Sequence, residues 1–398
     1  MWWLVAFLLV AAPARAQDIL YVVERQLGQV TAIDIASGAR STLATGLSDP
    51  LDVMVTPAGT LLVTERVSAN PSNGFITELD RTTGAELSST YPGFSPNDLW
   101  VLPSGRTYVS TWQDGVWQQQ AGATTWSQVS DLAGDLVGMT WVDDYLYVSR
   151  TGGTIHRIDP QQTNPVGNFT LLVNTLDNPH GLAPFGVQML VTEWILGDVL
   201  LLDGIAPGQS PSTTLVGNLG AASALVVDPA GLIYVANQQA AGSVSTFDVS
   251  GTLSTFVTGL NTPRGMTLWI DPDGDGLSYP YDPCPNDPTD DGDGDGFCED
   301  VDNCPGLAND QVDLDGDGAG DACDLCPEDP SDACGDDDDS GDDDDSGDDD
   351  DSGDDDDSTG DDDDSTGDDD DSTGDDDDST GDDDDSTGDD DDSAGVEP

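Results

Sequence analysis

Short apolar runs separated by turn residues recur along residues 17–270. One type reads ILYVVE from residue 19, LLVTE from residue 61 and LIYVAN from residue 232. The runs are rich in β-branched and aromatic residues and are bounded by Gly, Pro, Asn and Asp, so they predict β-strands. Three other strand types recur with the first in a fixed order, which predicts an all-β repeat.

The spacing of one strand type identifies the repeat. Its equivalent positions are Asp52, Asp98, Gly138, Gly181, Ala224 and Gly265. They are separated by 46, 40, 43, 43 and 41 residues. Four strands in each 40–45 residues predict a β-propeller. The first unit lacks its innermost strand and residues 265–270 supply only that strand, so we predict six blades and a ring closed by the end of the repeat region.

Two phrases carry a family resemblance. ALVVDPAGLIYVANQQAAGSVSTFDVSG and DPLDVMVTPAGTLLVTER resemble NHL-type and gluconolactonase-like six-bladed propellers, and the resemblance covers nearly all of residues 17–270. It implies the fold and leaves the function open, because propellers host hydrolases, lyases, dehydrogenases and binding scaffolds.

The loops that precede the innermost strands are expected to meet at one mouth of the central channel. Their polar residues are Asp49, Asp52, Asn97, Asp98, Asp177, Asn178, His180, Asn261 and Arg264. This set offers ligands for a metal ion or a polar molecule. Glu24, Glu65 and Glu193 end another strand type. Gluconolactonase-like propellers hold a divalent metal with Glu, Asn and Asp, but that set cannot be placed residue by residue on this sequence.

The sequence contains two histidines, and they are interpreted differently. NPHG, which contains His180, resembles the Pro-His-Gly turn of streptogramin-lyase-like propellers and implies a catalytic base at the mouth. The alternative is a turn histidine that caps a neighbouring strand. His156 lies on an outer strand type, GTIHRID, and is expected to be exposed to solvent.

A second kind of motif begins where the propeller repeat ends. DLDGDGAGDACD, from residue 313, has carboxylates at positions 1, 3, 5, 9 and 12 and Gly318 at position 6. Calcium loops need this pattern because a hard cation takes six to eight oxygens from a chain that turns sharply between them. A solvated run of acids has no need of Gly at the turn. DGDGDGFCEDVD repeats the pattern, as does DPDGDGLSYPYD except for Tyr279 at position 9.

These three loops predict calcium as the cofactor. The predicted ligands are Asp271, Asp273, Asp275, Asp282, Asp291, Asp293, Asp295, Glu299, Asp302, Asp313, Asp315, Asp317, Asp321 and Asp324.

All six cysteines lie in the same acidic stretch. An even number of cysteines in a short polar segment of an exported chain predicts three disulfides, and six cysteines allow fifteen connectivities. DPCPND and DNCPGLANDQVDLDGDGAGDACD resemble thrombospondin type 3 repeats, and the resemblance covers about residues 271–334. It implies the neighbouring pairs Cys284–Cys298, Cys304–Cys323 and Cys326–Cys334.

Charge and the two ends of the chain complete the domain prediction. The formal net charge is -71, with 80 acids and nine arginines, none of them beyond Arg264. Such a field disfavours nucleic acid and anionic membranes. Residues 1–16, with an apolar run before an Ala-x-Ala site, predict a cleaved signal peptide, and no later stretch is apolar enough to span a membrane. Residues 335–398 repeat GDDDDS or GDDDDST and predict a disordered acidic tail.

We therefore expect an exported calcium-binding protein, secreted or at the surface of a bacterial cell. Residues 17–270 would form a propeller that serves as an interaction or adhesion platform for an extracellular protein or glycan. Residues 271–334 would form a calcium-stiffened stalk. The alternative is a metal-dependent lactonase or lyase acting at the propeller mouth, around His180 and the acids near it.

Overall fold

The computed structural model describes residues 17–67, 73–202 and 211–331. The predictions for residues 1–16 and 335–398 and for Cys334 lie outside them. The described chain is an all-β protein whose strands form six four-stranded antiparallel sheets. The predicted six-bladed propeller is confirmed. No helix in this part of the chain is long and apolar enough to cross a bilayer.

Each blade is one sheet, whose strands follow one another from the channel outward. Blade 1 comprises β24 (Pro263–Trp269), β1 (Ile19–Glu24), β2 (Gln29–Asp34) and β3 (Arg40–Thr45). Blade 2 comprises β4 (Pro50–Val55), β5 (Thr60–Arg66), β6 (Gly74–Asp80) and β7 (Glu86–Thr90). Blade 3 comprises β8 (Pro96–Val101), β9 (Thr107–Thr111), β10 (Val116–Gln119) and β11 (Ser127–Ser130).

The other three blades follow in chain order. Blade 4 comprises β12 (Leu136–Val142), β13 (Tyr145–Arg150), β14 (Thr154–Ile158) and β15 (Thr170–Val173). Blade 5 comprises β16 (Pro179–Phe185), β17 (Gln188–Glu193), β18 (Asp198–Leu202) and β19 (Pro211–Val216). Blade 6 comprises β20 (Ala222–Val227), β21 (Ile233–Asn237), β22 (Gly242–Phe247) and β23 (Ser254–Leu260). A single 3₁₀ turn, Arg25–Leu27, follows β1.

The ring closes as the offset repeat predicts. β24 pairs with β1 in antiparallel register, with Trp269 opposite Ile19 and Thr267 opposite Tyr21. The last repeat strand thus becomes the innermost strand of the first blade, so that blade 1 has four strands like the others and β1 has a partner on both sides.

The hydrophobic core lies between neighbouring blades. One cluster joins Leu190 and Val199 of blade 5 to Ile233 and Val235 of blade 6, all fully buried. Another joins blade 4 to blade 5 in the same way. Because strand side chains alternate between the two faces of a sheet, every blade presents one apolar face to each neighbour. Burial of these faces positions the loops at both ends of the channel.

The chain changes character after β24. Among the described residues 271–331 there is no helix or strand, only turns and bends. The segment nevertheless touches the propeller, because the side chains of Tyr279 and Tyr281 pack against its core clusters. The boundary drawn at residue 270 from the sequence therefore separates two segments that are in direct contact.

Candidate metal sites and the propeller channel

Three acidic loops each bring carboxylate oxygens together. In every loop, one oxygen from each of the residues at positions 1, 3 and 5 lies within 4.8 Å of the others. Two oxygens that both lie 2.3–2.6 Å from one calcium ion are at most about 5 Å apart, so the spacing is compatible with a shared ion. The three clusters are Asp271–Asp273–Asp275, Asp291–Asp293–Asp295 and Asp313–Asp315–Asp317. We call them sites 1, 2 and 3.

The loops fold through the same local hydrogen bonds. In site 2 the Gly294 amide donates to Asp291 Oδ1 at 2.8 Å, and the Phe297 amide donates to Asp295 Oδ1 at 3.0 Å. The equivalent bonds form in sites 1 and 3. Gly296 at position 6 has φ of 100°, a left-handed conformation that glycine adopts without a steric penalty. The sharp turn that the spacing predicted is therefore present.

A carboxylate oxygen at the same position of each loop has no partner within the described protein. Oδ2 of the position-3 residue is buried and accepts no hydrogen bond in any of the three loops. These residues are Asp273, Asp293 and Asp315. A buried polar atom without a partner is unfavourable unless something else satisfies it, and here the atom points into a group of acids. A bound cation satisfies it, and an all-oxygen donor set suits a hard cation such as calcium or magnesium.

The carboxylates at positions 9 and 12 complete the loops differently. Position 12 is tied to the next cysteine: the Cys304 amide donates to Asp302 Oδ1 at 2.9 Å, and Asp282 and Asp324 make the same bond. Asp321, at position 9 of site 3, accepts the Leu314 amide at 2.8 Å. The position-9 side chain there reaches back over position 2 of its own loop.

Site 1 has a further carboxylate that the sequence analysis missed. Asp290 lies close enough to Asp273 and Asp275 for their charges to act on it, and one oxygen each of Asp290 and Asp282 is buried without a partner. Desolvation, and then repulsion by the charges of Asp275 and Asp273, raises the pKa of Asp290. Such repulsion falls when a cation binds. The sequence did contain a signal for Asp290: this loop lacks an acid at position 9, and an additional acid stands directly before the next loop.

Disulfides link the loops. Cys284–Cys298 and Cys304–Cys323 are bonded, and both are pairs that the thrombospondin resemblance implied. Cys326 is also disulfide-bonded, whereas its expected partner Cys334 lies outside the described residues. Disulfides are typical of proteins outside the reducing cytoplasm.

The propeller channel has its own pair of acids. Asp52 and Asp98 lie on adjacent inner strands, and the equivalent positions of the other four blades are Gly or Ala. Asp52 Oδ2 accepts the Leu99 amide at 3.2 Å. Desolvation raises the pKa of Asp52 to about 7. Desolvation, followed by repulsion from Asp52, raises the pKa of Asp98.

These acids border a cavity of about 180 Å³ inside the channel. Its apolar walls include Met54, Trp100 and Met266. Arg264 lies nearby and donates to Asn97 Oδ1 at 3.0 Å. Its charge lowers the pKa of both acids, although less than burial raises it. Asp52 and Asp98 are therefore a buried acid pair whose charged forms are disfavoured despite the neighbouring arginine.

His180 is part of the channel wall rather than an exposed turn. It lies on β16, is 8% exposed and stacks on Trp194 with ring centroids 5.6 Å apart. Desolvation and the charge of Arg264 lower its pKa to about 3. The ring is neutral at physiological pH and a weak base, which disfavours the catalytic interpretation.

The expectation for His156 was wrong. The residue is 7% exposed, not solvated, and its ring meets Phe169 edge-on at 5.7 Å between centroids. The third strand of a blade is covered by the fourth strand and by the loop leading to it. A polar residue in a strand pattern therefore does not by itself indicate a solvent-facing position.

The three glutamates that end second strands act within their blades. Glu24 accepts the Asn261 amide at 2.6 Å, and Glu193 accepts the Asp177 amide at 2.6 Å. Glu65 accepts the Ser48 amide in the same way. All three are buried. Each carboxylate fixes the loop that leads into the innermost strand of its own blade, so these residues shape the mouth without lining a common metal site.

An ion-pair network covers part of that mouth. Asp49 bridges Arg25 and Arg66, with Arg66 Nη2 at 2.7 Å from Asp49 Oδ2. The Arg66 guanidinium lies 5.4 Å from the centroid of the Trp112 ring. The network joins blades 1, 2 and 3 at their upper loops.

Comparisons with known proteins support the fold. No family model and no curated protein matches the sequence. A protein of unknown function from Bacteroides caccae matches with TM-score 0.50 and 13% identity, covering 64% of this chain and 99% of its own. A nidogen/laminin complex matches with TM-score 0.51 and 14% identity, covering 63% and 98%. A candidate 6-phosphogluconolactonase from Bacteroides uniformis matches with TM-score 0.45 and 16% identity, covering 62% and 83%, and carries no inference. At these identities the likeness shows the propeller fold alone.

Proposed function

We propose that the protein is an exported calcium-binding protein in which a six-bladed propeller is joined to three calcium loops. The observation that carries this proposal is the unpartnered Oδ2 atom of Asp273, Asp293 and Asp315. It recurs at the same position of three loops that share the same internal hydrogen bonds. Chance placement of acids does not put an unsatisfied oxygen at the same position of all three loops.

The proposed ligands follow from the loop positions. Each ion would be held by the carboxylates at positions 1, 3, 5 and 12, with Glu299 and Asp321 at position 9 of sites 2 and 3. In site 1 Asp290 would replace the missing position-9 acid. The bound ion would neutralise repulsion among these carboxylates, and the disulfides would link each loop to the next. The arrangement resembles thrombospondin type 3 repeats, and we propose that residues 271–334 form such a segment.

We further propose that the propeller is an interaction platform for an extracellular protein or glycan. The fold is also found in a nidogen/laminin complex. The neutral His180, which is a weak base, favours binding over catalysis. A metal-dependent lactonase or lyase would instead need an ion in the channel, and the same experiment tests for it.

Native mass spectrometry of the full mature chain in calcium buffer tests the proposal. Asp273→Asn, Asp293→Asn and Asp315→Asn are each expected to lower the bound-calcium count by one relative to the wild type. Asp300→Asn, an exposed acid next to Glu299, is the matched control and should leave the count unchanged. Equal counts in all four variants would overturn the calcium sites. An ion lost in Asp52→Asn would favour the enzyme.

A further inference from the structure

Site 1 differs from the other two sites in its connection to the propeller. Its first ligand, Asp271, follows Ile270 at the end of β24, the strand that closes the ring. The loop then returns to the same place. The Tyr279 amide donates to the Ile270 carbonyl at 3.0 Å, and the Ile270 amide donates to Ser278 Oγ at 2.9 Å. Ser278 and Tyr279, in the middle of the loop, are therefore held against the C-terminal end of β24.

The segment from Tyr279 to Tyr281 reaches the end of the central channel. The Tyr281 hydroxyl lies 3.0 Å from the Val55 carbonyl and 3.1 Å from the Val101 carbonyl, and its proton is shared between them. These residues end β4 and β8, the innermost strands of blades 2 and 3. Desolvation raises the pKa of Tyr281 above its usual value. One side chain thus joins two adjacent blades at the channel end opposite the Arg25–Asp49–Arg66 network.

The same segment lines the channel cavity. Tyr279 and Pro280 lie on its wall together with Met54, Trp100 and Met266. Tyr279 also packs against the apolar cluster between blades 1 and 6. The segment therefore contacts blades on both sides of the channel and covers its lower end.

The proposed calcium ligands of site 1 lie on both sides of the Tyr279–Tyr281 segment in the sequence. Asp275 and Asp282, at positions 5 and 12, precede and follow residues 278–281, and Asp282 is only 7% exposed. Sites 2 and 3 have acids, Glu299 and Asp321, at the position that Tyr279 occupies in site 1. The tyrosine that weakens the calcium pattern is the residue that lines the channel, and Asp290 compensates for it. Docking thus explains the departure from the motif.

We propose that site 1 is a calcium-dependent latch. An ion held by Asp271, Asp273, Asp275, Asp282 and Asp290 fixes the Tyr279–Tyr281 segment in the lower end of the channel. Loss of the ion releases the segment, opens the lower end of the channel cavity to small molecules and frees the C-terminal end of β24. The inference rests on the proposed calcium-binding function and assigns site 1 a role that sites 2 and 3 do not share.

Tryptophan fluorescence gives a clean readout of the propeller. Apart from Trp2 and Trp3, every tryptophan lies between residues 100 and 269, so the signal of the mature chain reports on the propeller and not on the calcium loops. Thermal unfolding of the full mature chain would be followed in calcium and in EGTA. Because an ion that binds only the docked state stabilises it, calcium should raise the midpoint of the wild type by on the order of 5 °C.

Three variants separate the latch from simple calcium binding. Asp275→Asn in site 1 should abolish the calcium-induced rise, whereas Asp317→Asn, the equivalent change in site 3, should preserve it. Tyr281→Phe should keep the wild-type calcium count in native mass spectrometry and lose most of the rise. An undiminished rise in Asp275→Asn or Tyr281→Phe would overturn the latch and leave calcium binding intact. A wild type that binds no calcium in the loops would overturn both.

Discussion

The propeller and the segment 271–331 bury different kinds of group. In the propeller, residues such as Leu20, Val22 and Tyr108 are fully buried between sheets. In the segment, Val301 and Leu314 are each 65% exposed, and the buried side chains are three cysteines, three aspartates and Ser278. Apolar burial thus stabilises the first region, whereas disulfides and, in our proposal, cation–oxygen bonds would hold the second. One chain therefore joins a region stabilised by its own apolar core to a region whose stability, in our proposal, depends on bound cations.

Removal of a leucine should separate the two regions most strongly. Leu61→Ala opens a cavity at a fully buried position between blades 1 and 2, and we expect a loss of about 2–5 kcal/mol in the free energy of unfolding. Leu314→Ala, in site 3, should cost less than about 0.5 kcal/mol. Urea unfolding monitored by tryptophan fluorescence measures the first variant, and calcium titration measures the second. Similar, large losses in both variants would show that the segment has an apolar core.

Removal of a disulfide should weaken residues 271–331 and leave the propeller unaffected. Cys304→Ser with Cys323→Ser opens a link between residues 19 apart, which corresponds to about 3 kcal/mol of loop-closure stabilisation. Because folding and calcium binding are coupled in such a segment, affinity at site 3 should fall by up to about 100-fold. Isothermal titration calorimetry measures the affinity. The propeller midpoint should not move, and a lowered midpoint with unchanged affinity would contradict the division between the regions.

Titration of Asp52 should reveal a smaller effect confined to the propeller. Its pKa is raised to about 7 in the folded protein, so the folded state retains a proton that the unfolded chain has released above pH 4. Stability should therefore fall as the pH rises from about 4 to 7, by about 1–3 kcal/mol after allowance for water in the channel.

The variant Asp52→Asn removes this titration and should reduce the slope of the pH dependence of urea unfolding, while Asp98, whose pKa desolvation also raises, keeps part of it. Asp114→Asn changes an exposed acid in blade 3 and should retain the wild-type slope. Identical slopes for Asp52→Asn and the wild type would mean that the carboxyl is solvated in the channel.

Local patterns in the sequence predicted most of the architecture. The repeat spacing and turn residues indicated the blades, because each strand type has the same environment in every blade. The missing first strand predicted the pairing of β24 with β1. The three acidic clusters were equally visible, since the carboxylates that each brings together come from neighbouring positions of one short loop.

Contacts between distant parts of the chain were beyond the reach of these patterns. Tyr281 bonds to Val55, 226 residues away in the sequence, and nothing in DPDGDGLSYPYD marks it as a propeller residue. Asp290 was assigned to no site because it lies just outside a loop. His156 was misplaced because the cover over a third strand comes from the next strand and its loop. In each case tertiary packing, and not local propensity, decides the outcome.

Hydrogen exchange with mass spectrometry, on the full mature chain with and without EGTA, tests the central claim most directly. We predict that chelation accelerates amide exchange throughout residues 271–331, while the propeller strands stay protected except near the lower ends of β4 and β8. Protection of residues 271–331 that is the same in both buffers would contradict a calcium-dependent segment. Loss of protection across all six blades would contradict a propeller that folds by apolar burial.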